Sequence, residues 1–263
     1  MDDFSYITAE SERQGILGKR SITRYYLYYM EGEKKAVVTG GAGFIGSHIV
    51  DALVERGFEV QAIDNFAAGR REDRINASAT YHEVDICDYD RIAPIIAGAQ
   101  YVFHEAALPR VQFSIEHPLE TFAVNVTGTA NVLRAADQGK VARVICASSG
   151  SVYGDQDVMP LVETMIPSPK SPYGMHKHML ESMCRMWHEV YGLQTVALRY
   201  FNVYGTRMDP NGAYALAIAK FLKQKSEGKP LTIWGDGCHT RDFRHVRDVV
   251  CANLFAAESP HVG

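Results

Sequence analysis

An apolar strand that runs directly into a glycine-rich turn, and then into a helix, restricts this chain more than any other feature. The strand is Ala36-Val37-Val38-Thr39 and the turn is Gly40-Gly41-Ala42-Gly43-Phe44-Ile45-Gly46. Helical spacing follows over about 45–56 and stops at Gly57. The first glycine permits the tight turn, the second lets backbone approach a pyrophosphate, and the third lets helix and strand pack closely. Free amides and a positive dipole end at the helix start then suit a phosphate. A glycine triplet alone says little, but in this strand–turn–helix setting it predicts dinucleotide binding, with Gly40, Gly43, Phe44, Ile45 and Gly46 as contacts.

From Lys35 onward, short apolar strands alternate with amphipathic helices. Strands are expected at 36–39, 58–63, 80–84, 101–104, 143–147 and 194–199, with long helices near 118–137 and 173–191 and another near 246–258. This alternation predicts an α/β fold, a doubly wound parallel sheet of Rossmann type with right-handed crossovers. Functional groups should gather beyond the strand C-termini. Gly40, Asp64, Asp85, Ala106, Ser148-Ser149 and Asn202 each follow a strand. The expected organisation is an extension over 1–34, a cofactor domain over 35–200 and part of a substrate-binding region over 201–263.

The bulk properties exclude several classes. The 263 residues carry 27 basic and 31 acidic side chains, a net charge of -4, so a nucleic-acid role has no basic field to support it. Five scattered cysteines without a C-x-x-C pair fit reduced thiols better than a disulfide framework. The histidines form no metal-ligand pattern, so no metal is expected. No apolar run reaches membrane-spanning length and the N-terminus lacks a signal pattern, which makes a cytoplasmic protein without membrane association the expectation.

Asp64 ends the second strand, 18 residues after Gly46. A carboxylate there can accept hydrogen bonds from an adenosine ribose and repels a 2′-phosphate, which favours NAD over NADP. Arg70 and Arg71 nearby weigh slightly the other way, and a turn-forming role for Asp64 is the plainer alternative. Asn65 adjoins it. Asp85-Ile86 is placed to contact adenine, and Ala106-Ala107 to leave room for the cofactor backbone.

Tyr173 and Lys177 lie at i and i+4 of a helix and share a face. An ammonium near a phenol favours the phenolate, which is expected to lower the Tyr173 pKa and make it a base. Such a spacing is common on solvated helices, so its weight comes from Ser148-Ser149 at the end of the preceding strand.

With those residues in view, the chain resembles the extended short-chain dehydrogenase/reductase family of nucleotide-sugar enzymes over 35–263. The resemblance rests on Thr39 to Gly46, Asp64-Asn65, His104-Glu105-Ala106-Ala107, Asn125-Val126-Thr127-Gly128-Thr129 and Ser149-Gly150-Ser151-Val152-Tyr153-Gly154. It continues through Ser171-Pro172-Tyr173-Gly174-x-x-Lys177, Leu198-Arg199-Tyr200-Phe201-Asn202-Val203-Tyr204-Gly205, Asp209 to Tyr214 and Gly235 to Phe243. It implies that Tyr173 is the base, that Lys177 holds the nicotinamide ribose and acidifies Tyr173, and that Ser149 hydrogen-bonds the reacting hydroxyl. Asn125 and Tyr200 join the implied contacts of NAD. Ser149, Ser151, Asn202, Ala213, Tyr214 and Arg241 are the implied contacts of a UDP-sugar, with a surface ion pair as the plainer reading of Arg241.

Family dehydratases carry a Thr-Asp-Glu run where this chain has Ser149-Gly150-Ser151, and family decarboxylases keep a Glu just before the Val. Lacking those acids, the chain looks like a 4-epimerase that oxidises C4 and returns the hydride to the other face. A dehydratase or uronate epimerase, or a non-catalytic NAD-binding regulator, are the alternatives. Relatives continue past the helix near 246–258, which implies an incomplete substrate lobe here. An apolar stripe of Met175, Met179, Met183, Met186, Trp187 and Val190 suggests a homodimer through the two long helices.

Overall fold

The computed structural model describes residues 34–209, 217–233, 235–238 and 240–262. The expected extension (residues 1–33 of it), Ala213 and Tyr214 lie outside the described residues.

Six strands form one parallel sheet in the order β3-β2-β1-β4-β5-β6. They are β1 (Lys35–Thr39), β2 (Glu59–Asp64), β3 (Thr80–Glu83), β4 (Tyr101–His104), β5 (Arg143–Ser149) and β6 (Gln194–Tyr200). All six stand where the apolar runs predict them. The order reverses between β1 and β4, and the first strand occupies the middle of the sheet, as a doubly wound Rossmann-type fold requires.

Alternate side chains along each central strand feed two separate cores, the period-2 signature of a strand covered on both faces. Val37, Val102 and Val144 pack with α2 (Tyr89–Ile96), α5 (Thr129–Gln138) and α6 (Pro172–Tyr191). Val38, Phe103 and Ile145 pack on the other face, against α1 (Phe44–Glu55) and α8 (Val246–Glu258). The chain between β4 and β5 also folds α3 (Val111–Glu116) and α4 (Pro118–Phe122). Arg143, buried at the start of β5, ties α8 down by donating to the carbonyls of Ala256 and Ser259.

The helix that carries Tyr173 and Lys177 has clear local causes. Ser171 caps it by accepting from Gly174 N–H at 3.1 Å, Pro172 opens its first turn, and Gly192 closes it in the left-handed region at φ 76°. The other long helix differs from expectation. Over 118–138 the backbone stays helical but widens into a π turn at Ala123–Gly128, between α4 and α5. Gly128 sits where a Cβ would lie 2.6 Å from Ile86 Cδ1, so the turn is pressed against the loop after β3.

A small second sheet forms beyond β6. β7 (Val203–Tyr204) pairs in parallel with β8 (Arg244–His245), and α7 (Ala217–Ser226) lies between them in sequence.

Candidate active site

Sheet register brings the implied chemical groups to one edge. Ser149, last in β5, pairs with Tyr200, last in β6. The Ser149 hydroxyl is held by its own turn: it accepts from Ser151 N–H at 3.1 Å and lies 3.2 Å from the Ser151 hydroxyl. It also hydrogen-bonds the Tyr173 phenol and pulls its pKa down. Lys177 is buried one turn further along α6, with Nζ 5.8 Å from the centre of the Tyr173 ring. Its amine donates to the Ala147 carbonyl at 2.7 Å. Ser149, Ser151, Tyr173 and Lys177 therefore share one site.

The electrostatics differ from the sequence expectation at one point. Burial pushes the Tyr173 phenol up to about 12, and the nearby Glu105 pushes the same way against the Ser149 hydrogen bond. Lys177 does not offset this, because its amine is turned to the Ala147 carbonyl. Among the protein's own groups, desolvation sets the direction and the expected lowering by Lys177 is not found.

The glycine turn packs as its spacing predicts. Gly40 adopts φ 69°, and a Cβ there would lie 2.8 Å from the Ala106 backbone nitrogen, which draws the β1 and β4 ends together. A Cβ on Gly46 would lie 2.1 Å from the Gly40 carbonyl oxygen. No side chain caps α1 at Gly43, so the first-turn amides of Phe44, Ile45 and Gly46 have no capping acceptor. The Phe44 and Ile45 side chains pack on Val203 and Val246. Asp64 accepts from Ala42 N–H at 3.0 Å and Phe66 N–H at 2.8 Å, and burial raises its pKa. Asn65 donates to Asp85 at 2.9 Å, joining the β2 and β3 ends, while Ile86 is buried behind them. Asn125, inside the π turn, accepts from Leu108 N–H and donates to its carbonyl, holding the loop that contains Ala106 and Ala107.

On the other flank, Asn202 adopts φ 33° and donates to the Asp242 carbonyl at 3.0 Å. That bond ties the end of β6 to the loop carrying Arg241. Arg241 donates to the Thr240 carbonyl, while Asp242 is paired with Arg244 at 2.8 Å. Of the two carboxylates weighed as ion-pair partners of Arg241, Asp242 and Asp236, Asp242 is taken by Arg244.

The NAD dependent epimerase/dehydratase family matches residues 36–263. A UDP-N-acetylglucosamine 4-epimerase from Methanobrevibacter ruminantium, solved with UDP-N-acetylmuramic acid, is 40% identical with a TM-score of 0.84, covering 89% of this chain and 76% of that one. The Thermus thermophilus UDP-glucose 4-epimerase, solved with NAD, is 36% identical with a TM-score of 0.78, covering 86% and 75%. A UDP-N-acetyl-alpha-D-glucosaminuronate decarboxylase from Bacillus cytotoxicus is 34% identical over 86% of this chain and 72% of its own length. This chain belongs to the NAD-dependent epimerase/dehydratase family.

NAD is the cofactor of that family, and the residues present fit it. Uncapped first-turn amides and a glycine turn closed by backbone contacts suit a pyrophosphate, and Asp64 keeps unused lone pairs for ribose hydroxyls. Among the described residues no group of acidic, His and Cys side chains could hold a metal ion, and no helix is long and apolar enough to cross a membrane.

Two groups escaped the sequence reading as individuals. His104 is buried between Thr39 and Thr129. Thr129 spends its proton on the Asn125 carbonyl and so accepts from Nε2–H, leaving Nδ1 to accept from Thr39. Glu105, the next residue, accepts from the Tyr200 hydroxyl at 2.7 Å. A carboxylate directly after a buried strand, at the sheet's C-terminal edge, was the available signal.

Proposed function

We propose that this chain inverts C4 of a UDP-hexose through a transient 4-keto sugar, with NAD recycled in each turnover. The observation that carries the reading is the Ser149–Tyr173–Lys177 cluster, joined to a Ser149-Gly150-Ser151 turn that offers no carboxylate for elimination. The similarity to solved UDP-sugar 4-epimerases supports it.

Bound NAD supplies hydride acceptance and return, and a positive ring that favours the phenolate. Tyr173 takes the proton of the sugar C4 hydroxyl on its phenol oxygen and later gives it back. Ser149 donates to the same sugar oxygen and steadies the charge that develops there. Lys177 holds the nicotinamide ribose. Asn202 and Arg241, joined across the β6 end, take the diphosphate, and Ala213 and Tyr214 the uridine side. Residues 35–200 form the cofactor domain and 201–263 the sugar-nucleotide region, with 1–34 an extension. The chain works as a homodimer through α4–α5 and α6.

The experiment is direct: purified protein is incubated with UDP-galactose and with UDP-N-acetylgalactosamine, and products are separated. The matching gluco epimer is expected. Protein that binds NAD yet inverts neither sugar would overturn the reading.

A further inference from the structure

Three strand ends bring a carboxylate without an assigned role to the base of this site. Glu105 follows β4, whose His104 pairs with Cys146 of β5, and β5 in turn pairs Ser149 with Tyr200. Its backbone N–H donates to the Thr39 carbonyl at 3.1 Å, which fixes the main chain. Its side chain is fixed from α8. Asn253, fully buried, donates from Nδ2 to the Val249 carbonyl at 2.9 Å and to the Tyr200 oxygen at 2.6 Å. The amide cannot be turned over, since Oδ1 would then face the Val249 carbonyl. With Asn253 donating, the proton of Tyr200 points to Glu105.

That carboxylate answers an imbalance at Lys177. Glu105 and Ala147 each follow the paired His104 and Cys146 by one residue, and the buried Lys177 amine donates to the Ala147 carbonyl at 2.7 Å, so the carboxylate and the amine meet at the same two strand ends. Burial lowers the pKa of the amine, and Glu105 is the largest influence in the opposite direction. Glu105 is itself pushed up to about 7 by burial, with the Tyr200 hydrogen bond and the Lys177 charge pulling it down. Its charge also pushes the Tyr173 phenol up. The other titratable groups facing this pair are Cys146 on β5, Cys184 on α6 and His104 on β4. Cys146 on β5 has its thiol pushed well up, and His104 on β4 is held near 3.

We propose that Glu105 is the counter-charge of Lys177, a positioning residue that keeps the buried amine protonated and opposes negative charge on the Tyr173 phenol. Tyr200 and Asn253 hold it in place. The inference deepens the 4-epimerase reading and rests on it for the role of Tyr173. A carboxylate here balances the ammonium within the site; without it the phenol and the amine both lose their protons at lower pH.

Glu105→Gln tests this, because glutamine keeps an oxygen for the Tyr200 hydroxyl and removes the charge. Two readouts need no turnover. The first is the ultraviolet titration of Tyr173, taken as the difference from the matching Tyr173→Phe protein. The second is NAD affinity followed against pH by fluorescence. Both are expected to move downward by about one pH unit, the size of effect a neighbouring charge produces. Tyr200→Phe, which raises the Glu105 pKa by removing its donor, should move both the same way by less, and it carries the test if Glu105→Gln does not fold. A lower thermal midpoint with either readout unmoved would mean a structural carboxylate and overturn the inference. Protein that inverts no UDP-sugar but shows both shifts would instead overturn the 4-epimerase reading and leave this one standing.

Discussion

At the scale of single residues, the proposed base and its hydroxyl partner carry separable predictions. Tyr173→Phe removes the proton acceptor while keeping the ring that fills the site. Epimerisation should fall by about 10²–10⁴, the range for a lost acid–base group, with bound NAD unchanged by absorbance. Ser149→Ala should cost about 10²–10³ in kcat, as a lost oxyanion donor does; an equal rise in KM with kcat unchanged would make Ser149 a binding group only. His104 gives a prediction of a different kind. Burial holds its pKa near 3, against 6.5 for the free side chain, so between those values the unfolded chain binds the extra proton. Stability should then rise with pH through that window and be lost in acid. Denaturant titrations of wild type and His104→Gln check this, since the variant should lose most of that slope. These residues show what was legible and what was not. Spacing could place Tyr173 and Lys177 on one helix face and Ser148-Ser149 at a strand end, because helix period and strand ends fix where side chains point. The choice of Ser149 and the three roles came with the family resemblance. The pKa directions could not be read from spacing, because desolvation depends on what covers a group, and here burial and Glu105 raise the phenol against the Ser149 hydrogen bond.

At the scale of elements, the six strands and the bounding glycines were readable because each obeys a local rule: period 2 for a covered strand, positive φ at a turn. The π turn at Ala123–Gly128 was not, since a helix that widens by one residue keeps its apolar face almost unchanged, and its cause lies across the structure at Ile86. Gly46 allows a sharp test of the turn. An added Cβ would lie 2.1 Å from the Gly40 carbonyl oxygen, against rigid backbone. Gly46→Ala should therefore force the turn apart and lower NAD affinity more than tenfold, or about 1.4 kcal/mol at the least. Gly57→Ala is the matching control. That glycine also has positive φ, at 77°, but a Cβ there meets nothing within 4 Å. It should cost only the strain of the left-handed conformation, about 1 kcal/mol, and leave NAD affinity alone.

At the scale of the whole molecule, the remaining question is what covers the apolar side chains of the two helical segments. Leu119 is 85% exposed and Val190 65%, and Phe122, Met175 and Met186 are also exposed on α4 and α6. The two helices are already neighbours, since the Phe122 and His176 rings meet edge to face at 5.6 Å. A second copy offering the same surface could cover these side chains by two-fold symmetry, with helices from both chains forming one bundle. Sedimentation of the purified protein should then give a dimer, and Leu119→Lys combined with Met186→Glu should shift it to monomer. A monomeric wild type would refute the arrangement. Ser149, Tyr173, Lys177 and the glycine turn all come from one chain, so the monomeric variant should still bind NAD. Its epimerase activity should fall less than that of Tyr173→Phe, because α6 would lose outside support along one face while Ser171, Pro172 and its packing on β5 and β6 still set the position of Tyr173.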